Sequence, residues 1–598
     1  MNDAHLLLVS LGPVQDFIAQ ARRSRDLWFG SHLLSELSRA AAAALAADGA
    51  CLIFPALDNN DPELEPCDKP TRLGDEPPVS IANKILASLP AGLDPKVSAR
   101  KVRERVRNEW RAIAQRVRVA RANAVLEPGR EAVWAEQVED ILEFYAVWVP
   151  LDDSYRDARK AAEAALAGRK NLRDFHPWTC AGAGLPKSSL DGARASVLRK
   201  NRDSAFRRLR IADGEQLDAI GLIKRAGFEP EQFVPIVNVA AAAWLRQAAE
   251  SAGDELKTVR QACESKIPQV HRGLPVVEPL PFDASVLYPS RWPALFKEID
   301  PPEKDAAVAR AWGEANIYPL LARMRKLENG EPPAYVACLV ADGDHMGKAI
   351  ETLDSPERNR AFSQALAQFP REARHLVERS HLGSLIYAGG DDVLAFLPVA
   401  TAPACAGALA RAFRARLETA VPEDLLSKPT LSVGIAVGHT MEAMSVLLDL
   451  ARQAERAAKN AGRNAVAIIV DKRSGGQRRV ALSWNPDPST GLEPLERLDQ
   501  DAKLLDSSLS TGKVHELDAL LRRFPDPERD QVPPDAAAAL AAYAADLLAH
   551  TGEGPSASLA DLGVVFGPAV TYAALRSALA AAIDRILVVR ALREAGWR

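Results

Sequence analysis

Four aspartates stand where carboxylate chemistry is possible. Asp342 and Asp344 close the apolar run YVACLVADGD, and Asp391 and Asp392 sit between two apolar runs in LIYAGGDDVLAFLP (385–398). Gly and Asp are ordinary turn residues, so a plain reverse turn is one reading of GGDD. The other is a metal site, because the tip of a hairpin holds its side chains rigidly. Side chains alternate along a strand, which puts Asp342 and Asp344 on one face. If that strand lies beside the hairpin, Asp342 is next to Asp391. Carboxylates crowded in this way raise one another's pKa, and a divalent cation removes the penalty. Oxygen-only donors favour Mg²⁺ or Mn²⁺, so Asp342, Asp344, Asp391 and Asp392 form the expected ligand set. Two such ions, ~3.5–4 Å apart, suit nucleotidyl transfer, with Asp342, Asp391 and Asp392 as the catalytic groups. Gly343, Gly389 and Gly390 would let the backbone approach a triphosphate and offer N–H donors. Lys459 could reach phosphate oxygens, or could simply be a cation favoured at a helix C-terminus.

The elements around these residues are legible. Residues 335–471 read as strand, two helical stretches, the GGDD hairpin, a helix, the strand LSVGIAVGH, a long helix and the strand AVAIIVD. Apolar positions 443, 446, 447, 450, 454 and 457 in the long helix recur at helical spacing and mark a buried face. The order β-α-α-β-β-α-β describes a palm, a sheet with helices packed on one side. The N-terminal segment repeats the opening of this pattern: HLLLVSLG, two helical stretches, then ACLIFPA. Two related palms are therefore expected, with the acidic hairpin only in the second; in the first the equivalent strand runs into FPALDNN. The fold class is α+β: palm 1 over 1–155, with a charged helical insertion; a mostly helical middle domain over 156–328; palm 2 over 329–480; a helical C-terminal domain over 481–598. The basic run RKNRDSAFRRLR (199–210) is a contact surface or a solvated helix face.

Totals set the outer limits. At 598 residues the chain exceeds one core. A net charge of −4 gives no global attraction to nucleic acid. The six cysteines lie far apart without a C-x-x-C pair, which argues against a disulfide framework and fits a reducing cytosol. No apolar stretch reaches the ~20 residues of a membrane span, so a cytoplasmic protein is expected. There is no P-loop and no G-x-S-x-G, which removes P-loop NTPases and serine hydrolases.

Seven segments together resemble one family, the large subunit of type III CRISPR–Cas effector complexes of the Cmr (III-B) branch. They are GPVQDFIAQARRSRDLWFGSHLLS (12–35), LPKSSLDG (185–192), GLIKRAGF (221–228), AYVACLVADGDHMGKAI (334–350), YAGGDDVLAFLP (387–398), LSVGIAVGHTME (431–442) and AERAAKNAGRNAVAI (454–468). The resemblance implies two cyclase-like palms and a target-RNA-activated enzyme that joins ATP 3′–5′ into cyclic oligoadenylate. It implies ATP at both palms, and as partners other Cmr-type subunits, guide crRNA and target RNA. On it, Asp391 and Asp392 match the GGDD aspartates, Asp342 the first-strand metal aspartate and Lys459 the lysine of an Ala-Lys helix. Gln15 and Ser31 line the palm 1 side. Two departures from the family pattern carry expectations. Many relatives begin with an HD nuclease domain, whereas palm 1 starts here at about residue 5, so no such DNase activity is expected. Many also carry a four-Cys zinc module where only Cys180 stands, so no zinc is expected. Two alternatives stay open: coupling of ATP to S-adenosylmethionine, and a non-catalytic scaffold subunit.

Overall fold

The computed structural model describes residues 4–67, 80–151, 154–172, 182–228, 233–270, 273–422, 425, 428–473, 476–488, 490–549 and 556–597. Cys180 lies outside them. Palm 1 is built on strands β1 (His5–Gly12), β2 (Cys51–Phe54), β3 (Lys84–Leu89) and β4 (Glu143–Pro150), in the order β2-β3-β1-β4. Palm 2 is built on β5 (Tyr335–Asp344), β6 (Ser384–Gly389), β7 (Asp392–Leu397), β8 (Thr430–His439), β9 (Ala465–Val470) and β10 (Arg478–Ser483), in the order β10-β9-β8-β5-β7-β6. Each palm's first four strands are antiparallel, with the first strand between the third and fourth and the second at the edge. Both palms therefore share the ferredoxin-like order, as expected from the repeat. β3 and β10 were not expected. The strand KILASL is buried on both faces, which erases the period-two signal that would have revealed it.

Both palm sheets are covered on both sides. In palm 2, Ala337, Leu339 and Ala341 face Phe362, Leu366 and Phe369 of helix Pro356–Arg374 and Leu409 and Phe413 of helix Ala402–Leu417. Val336 and Cys338 face Leu447, Ala451, Ala454 and Ala458 of helix Met444–Asn460. This corrects the expectation of helices on one side, and the reason is visible in β8. All but the ends of TLSVGIAVGH are buried, as in a strand sandwiched between layers. The helix's stripe also differs from the expected one. Ala443 only precedes the helix and Val446 is exposed, while Met444, Leu448, Ala451 and Ala458 are buried.

In palm 1, Leu7, Val9 and Leu11 pack with helices Ser24–Ala47 and Pro95–Ala120, and Leu6 and Leu8 pack with helix Tyr155–Asn171. That last helix thus belongs to the palm 1 layer and not to the middle domain; in the same way β10 extends palm 2 beyond residue 480. The middle helices have their own core around Trp244, Leu245, Phe296 and Met324. The C-terminal helices centre on Leu517, Leu540 and Leu579, and helix Tyr572–Glu594 reaches palm 2 through Val588, Val589 and Leu592. Among the described residues, no helix is long and apolar enough to cross a membrane.

The two palms dock by exchange. The first long helix of palm 1, Ser24–Ala47, lies on β6, and the first long helix of palm 2, Pro356–Arg374, lies on β2. The second contact is polar at its rim: Ala56 N donates to Ser363 Oγ at 3.0 Å, and Arg360 pairs with Asp58 at 2.8 Å. The middle domain is tied in by a buried ion network. Arg225 reaches Asp26 (Nε–Oδ1 2.6 Å, Nη2–Oδ2 2.8 Å) and Glu215 (Nη2–Oε1 2.8 Å), all essentially without solvent. Asp26 also accepts from the N–H groups of Arg22 and Arg23 at 3.1 Å, fixing the start of helix Ser24–Ala47. The basic run 199–210 is mostly consumed internally: Arg199 on Asp203, Arg207 on Asp300, Arg210 on Asp283.

Burial opposes the Asp26 charge, but the Arg225 guanidinium and the N–H donors outweigh it and hold the carboxyl down at about 2. A depressed carboxylate adds stability above its unfolded value near 4 and loses it as pH falls through 2. Asp26→Ala leaves Arg225 underpaired and is expected to cost about 3–5 kcal/mol at neutral pH. The difference from wild type should shrink between pH 4 and pH 2, as read by denaturant melts.

Candidate active site at the palm 2 hairpin

The GGDD turn is a two-residue hairpin loop. Gly389 pairs with Asp392 across β6 and β7, leaving Gly390 and Asp391 as the loop. Gly390 has φ of +65° and Asp391 does not share that region, the type II′ pattern whose first loop residue is glycine. Asp391 is thereby set at the tip and Asp392 at the first position of β7. One step beyond the Ala341–Val393 pair, Asp342 stands opposite Asp392, near enough to push the Asp392 carboxyl upward. Gly343 lies against Asp391: a Cβ there would be 2.7 Å from Asp391 Cβ and 2.8 Å from its Oδ2. The expected meeting of β5 with the hairpin is therefore present.

Each glycine has a local reason that differs from the expected approach to phosphate. Gly343 makes room for Asp391. Gly389 makes room for the phenol of Tyr387, whose hydroxyl a Cβ would overlap and whose ring carbon Cζ it would meet at 2.5 Å. Only Gly390 opens to space, and there the left-handed backbone is what requires it.

Lys459 bonds Asp342 Oδ2, and its Nζ lies 2.7 Å from Glu455 Oε1. It sits where it does because helix Met444–Asn460 comes down on β8 at Gly434, where a Cβ would lie 2.1 Å from Glu455 N and 2.5 Å from Ala451 O. Any side chain at 434 would lift the helix and its lysine from the sheet.

The electrostatics follow from the crowding. Burial and the Asp342 charge push the Asp391 carboxyl up to about 6, with Lys459 working the other way. Desolvation, the hydrogen bond to Asp342 and the neighbouring charges raise Asp392 well above the carboxylate range. Asp392 is itself open to solvent, so like-charge crowding is the cause to carry forward. Burial works against the Lys459 charge, but its contacts with Asp342 and Glu455 outweigh it and hold the ammonium above its ordinary value.

Asp344 has hydrogen-bond partners of its own. It is on the expected face but is buried away from the hairpin pair, accepting from Thr430 Oγ1 (2.9 Å), Ser432 Oγ (2.8 Å) and Asn464 N (2.9 Å). Its work is to hold the loop that follows Lys459, where Gly462, Arg463 and Asn464 all have positive φ. Lys348 and Arg463, both exposed, lie close enough to lower the His345 pKa together with its partial burial, and so place positive charge near the mouth. Gln15 is exposed and Ser31 buried, and no hydrogen bond among the described residues joins either to the carboxylates. Glu455 was missed; its spacing of four from Lys459 on one helix was the available signal.

Among the described residues, no three His, Cys, Asp or Glu side chains are arranged around a common point as a metal cage. Asp342, Asp391 and Asp392 stack on one another and on Lys459 instead. The donor set still fits a hard divalent cation, since it consists of carboxylate oxygens alone and burial and neighbouring charge raise the pKa of two of the three.

Two family profiles match: "CRISPR-associated protein Cmr2, N-terminal" over residues 6–115 and "Cas10/Cmr2, second palm domain" over residues 335–467. The CRISPR system Cmr subunit Cmr2 of Pyrococcus furiosus is 27% identical over 581 residues, covering 81% of this chain, and the chain spans 63% of that relative's length. The type III-B Cmr-beta structure in the apo state superposes with a TM-score of 0.63 at 13% identity, over 99% of this chain and 82% of that one. Cmr-beta bound to cognate target RNA gives 0.62 at 14% identity, over 88% and 77%. At those identities the superpositions speak to the fold.

If Asp344 anchors a loop and does not ligate metal, Asp344→Asn should leave Mn²⁺ affinity within about three-fold of wild type while speeding hydrogen exchange at the 462–465 amides. A loss of Mn²⁺ binding as complete as that of Asp391→Asn would return Asp344 to the ligand set.

Proposed function

We propose, from a chain that is Cmr2-like over residues 6–115 and Cas10/Cmr2 palm-like over residues 335–467, that palm 2 is a target-RNA-activated nucleotidyltransferase making cyclic oligoadenylate from ATP. The observation that carries this is the convergence of Asp342, Asp391 and Asp392 beneath Lys459. Asp342, Asp391 and Asp392 would hold Mg²⁺ or Mn²⁺, which when bound supplies charge neutralisation at the phosphates and a more acidic attacking hydroxyl. The 3′-oxygen of one ATP attacks the α-phosphorus of the next; the new P–O bond forms as the α–β bond breaks and pyrophosphate leaves. Lys459, and the positive charge of Lys348 and Arg463 nearby, orient the triphosphate. Most of the rate then comes from positioning and charge, as in other phosphoryl transfers.

Palm 1 supports a second nucleotide. Helix Tyr155–Asn171 follows the fourth strand of palm 1 as Met444–Asn460 follows that of palm 2; both have 17 residues and both end in Lys-Asn. Lys170 is thus the counterpart of Lys459. The last residue of β1, Gly12, faces the first of β4, as Asp344 faces the first of β8. Ser10 then corresponds to Asp342, and Lys84, its partner on β3, to Asp392. Hydroxyl and ammonium replace the carboxylates, so palm 1 suits phosphate without a metal and is the partner site, not a second centre of transfer. In the cell the chain would work in the cytoplasm with other Cmr-type subunits, guide crRNA and target RNA.

Incubating the assembled complex with target RNA, Mg²⁺ and labelled ATP tests the reading. Cyclic oligoadenylate is expected, and Asp391→Ala with Asp392→Ala should lower its formation by roughly a hundred- to thousand-fold with assembly intact. A product made only with S-adenosylmethionine present would replace the substrate assignment, and no product under any condition would leave a scaffold. Lys84→Ala with Lys170→Ala is expected to raise KM for ATP about ten-fold while Mn²⁺ affinity stays unchanged.

A further inference from the structure

We infer that Glu455 is the positioning residue that draws Lys459 off Asp342 when the site is charged, and so sets the site's affinity for divalent cation. This rests on the reading of palm 2 as a metal-dependent nucleotidyltransferase. Lys459 Nζ bonds Asp342 Oδ2, one of the two oxygens that Asp342 could offer a hard cation. An ammonium and a divalent cation cannot both occupy that position, since two positive charges within a few ångströms repel strongly. Lys459 must therefore leave Asp342 for the site to load.

The helix provides the place to go. Glu455 lies one turn back, 2.7 Å from Nζ, and is 8% exposed. Its Oε1 is buried without an aligned hydrogen bond, so it keeps acceptor capacity for the lysine alone. Its backbone is fixed by the seat on Gly434, so the carboxylate stays where it is when the lysine moves. Drawn to Glu455, Lys459 remains near the mouth, next to the loop carrying Arg463, and meets an incoming triphosphate. Without Glu455 the lysine bears on Asp342 alone and competes with the cation. Asp342, Asp391, Asp392 and Glu455 are the carboxylates whose charges or hydrogen bonds act on this site.

The test is Mn²⁺ titration of the full chain by electron paramagnetic resonance, without nucleotide. Glu455→Gln is expected to weaken Mn²⁺ binding about five-fold, the scale of one partly exposed ion pair. Lys459→Met should tighten it, and adding Glu455→Gln to Lys459→Met should change it less than two-fold. Glu455→Asp, which keeps the charge but withdraws it by one methylene, should give a smaller shift in the same direction and guards against misfolding of the amide variant. In turnover by the assembled complex, Glu455→Gln should raise the Mg²⁺ concentration for half-maximal rate by a similar factor, and excess Mg²⁺ should restore the rate. Wild-type affinity in Glu455→Gln, or an equal loss in the Lys459→Met background, overturns the inference. A wild-type chain that binds no Mn²⁺ overturns the metal-dependent reading itself, which Asp391→Asn, as the control that abolishes binding, distinguishes from failure of the Glu455 role.

Discussion

Three carboxylates from two distant parts of the chain are pressed together at one end of a sheet, and much of palm 2 exists to contain their repulsion. Left to itself such a group would separate or take up protons. Here separation is prevented on every side. Asp391 is fixed by a two-residue loop and Asp392 by the strand that begins there. Asp342 is fixed by the central strand, paired on both edges to β7 and β8. The protein answers the charge with a single lysine, and that lysine is held in place by a helix that must approach the sheet closely. A glycine at 434 is the condition for that approach. Residues that touch no substrate thus determine whether the acidic group can persist at all.

The second consequence concerns backbone. Between the lysine helix and β9 the chain turns through three residues of positive φ, two of them not glycine, and His345, just after β5, is also left-handed. Strain of this kind persists only where surrounding contacts over-determine it. Asp344 supplies them by accepting from Asn464 N and from two hydroxyls on β8. The two aspartates of ADGD therefore sit in different surroundings: Asp342 lies against the hairpin and Lys459, and Asp344 faces inward and holds the loop that carries Arg463.

That difference marks the limit of what the sequence reveals. Alternation along a strand tells which face Asp342 and Asp344 share, but not how far along that face each finds a partner. The hairpin and its neighbour on β5 were legible because apolar runs, glycines and acids change abruptly at residues 389–392. The roles of Gly343 and Gly389 were not, since room for Asp391 and for the Tyr387 ring is a matter of three-dimensional neighbours. Layering was misjudged for a similar reason: a strand buried on both faces carries no alternation, so β8 could not reveal the helix on its far side and β3 went unseen. The motif segments at 12–35 and 221–228 were recognisable as text; only the coordinates show Asp26 of one meeting Arg225 of the other.

The palms' exchanged packing explains how palm 1 keeps the palm form without the acids of palm 2. The first long helix of each palm rests on the second strand of the other, so each sheet is part of its neighbour's support. Docking therefore depends on helix faces and edge strands, not on the strand ends where β5 carries Asp342 and β1 carries Ser10. Those ends are free to diverge. Replacing an acidic pair by Ser10 and Lys84 removes the repulsion that palm 2 must contain, and it removes with it the need for an internal counter-cation. Lys170, no longer claimed by an aspartate like Asp342, is flanked by Glu143, Glu163 and Lys84, and burial together with the Lys84 charge lowers its pKa. The same architecture thus supports crowded carboxylates in one palm and, in the other, paired charges with Lys84 held on Glu163 at 2.6 Å.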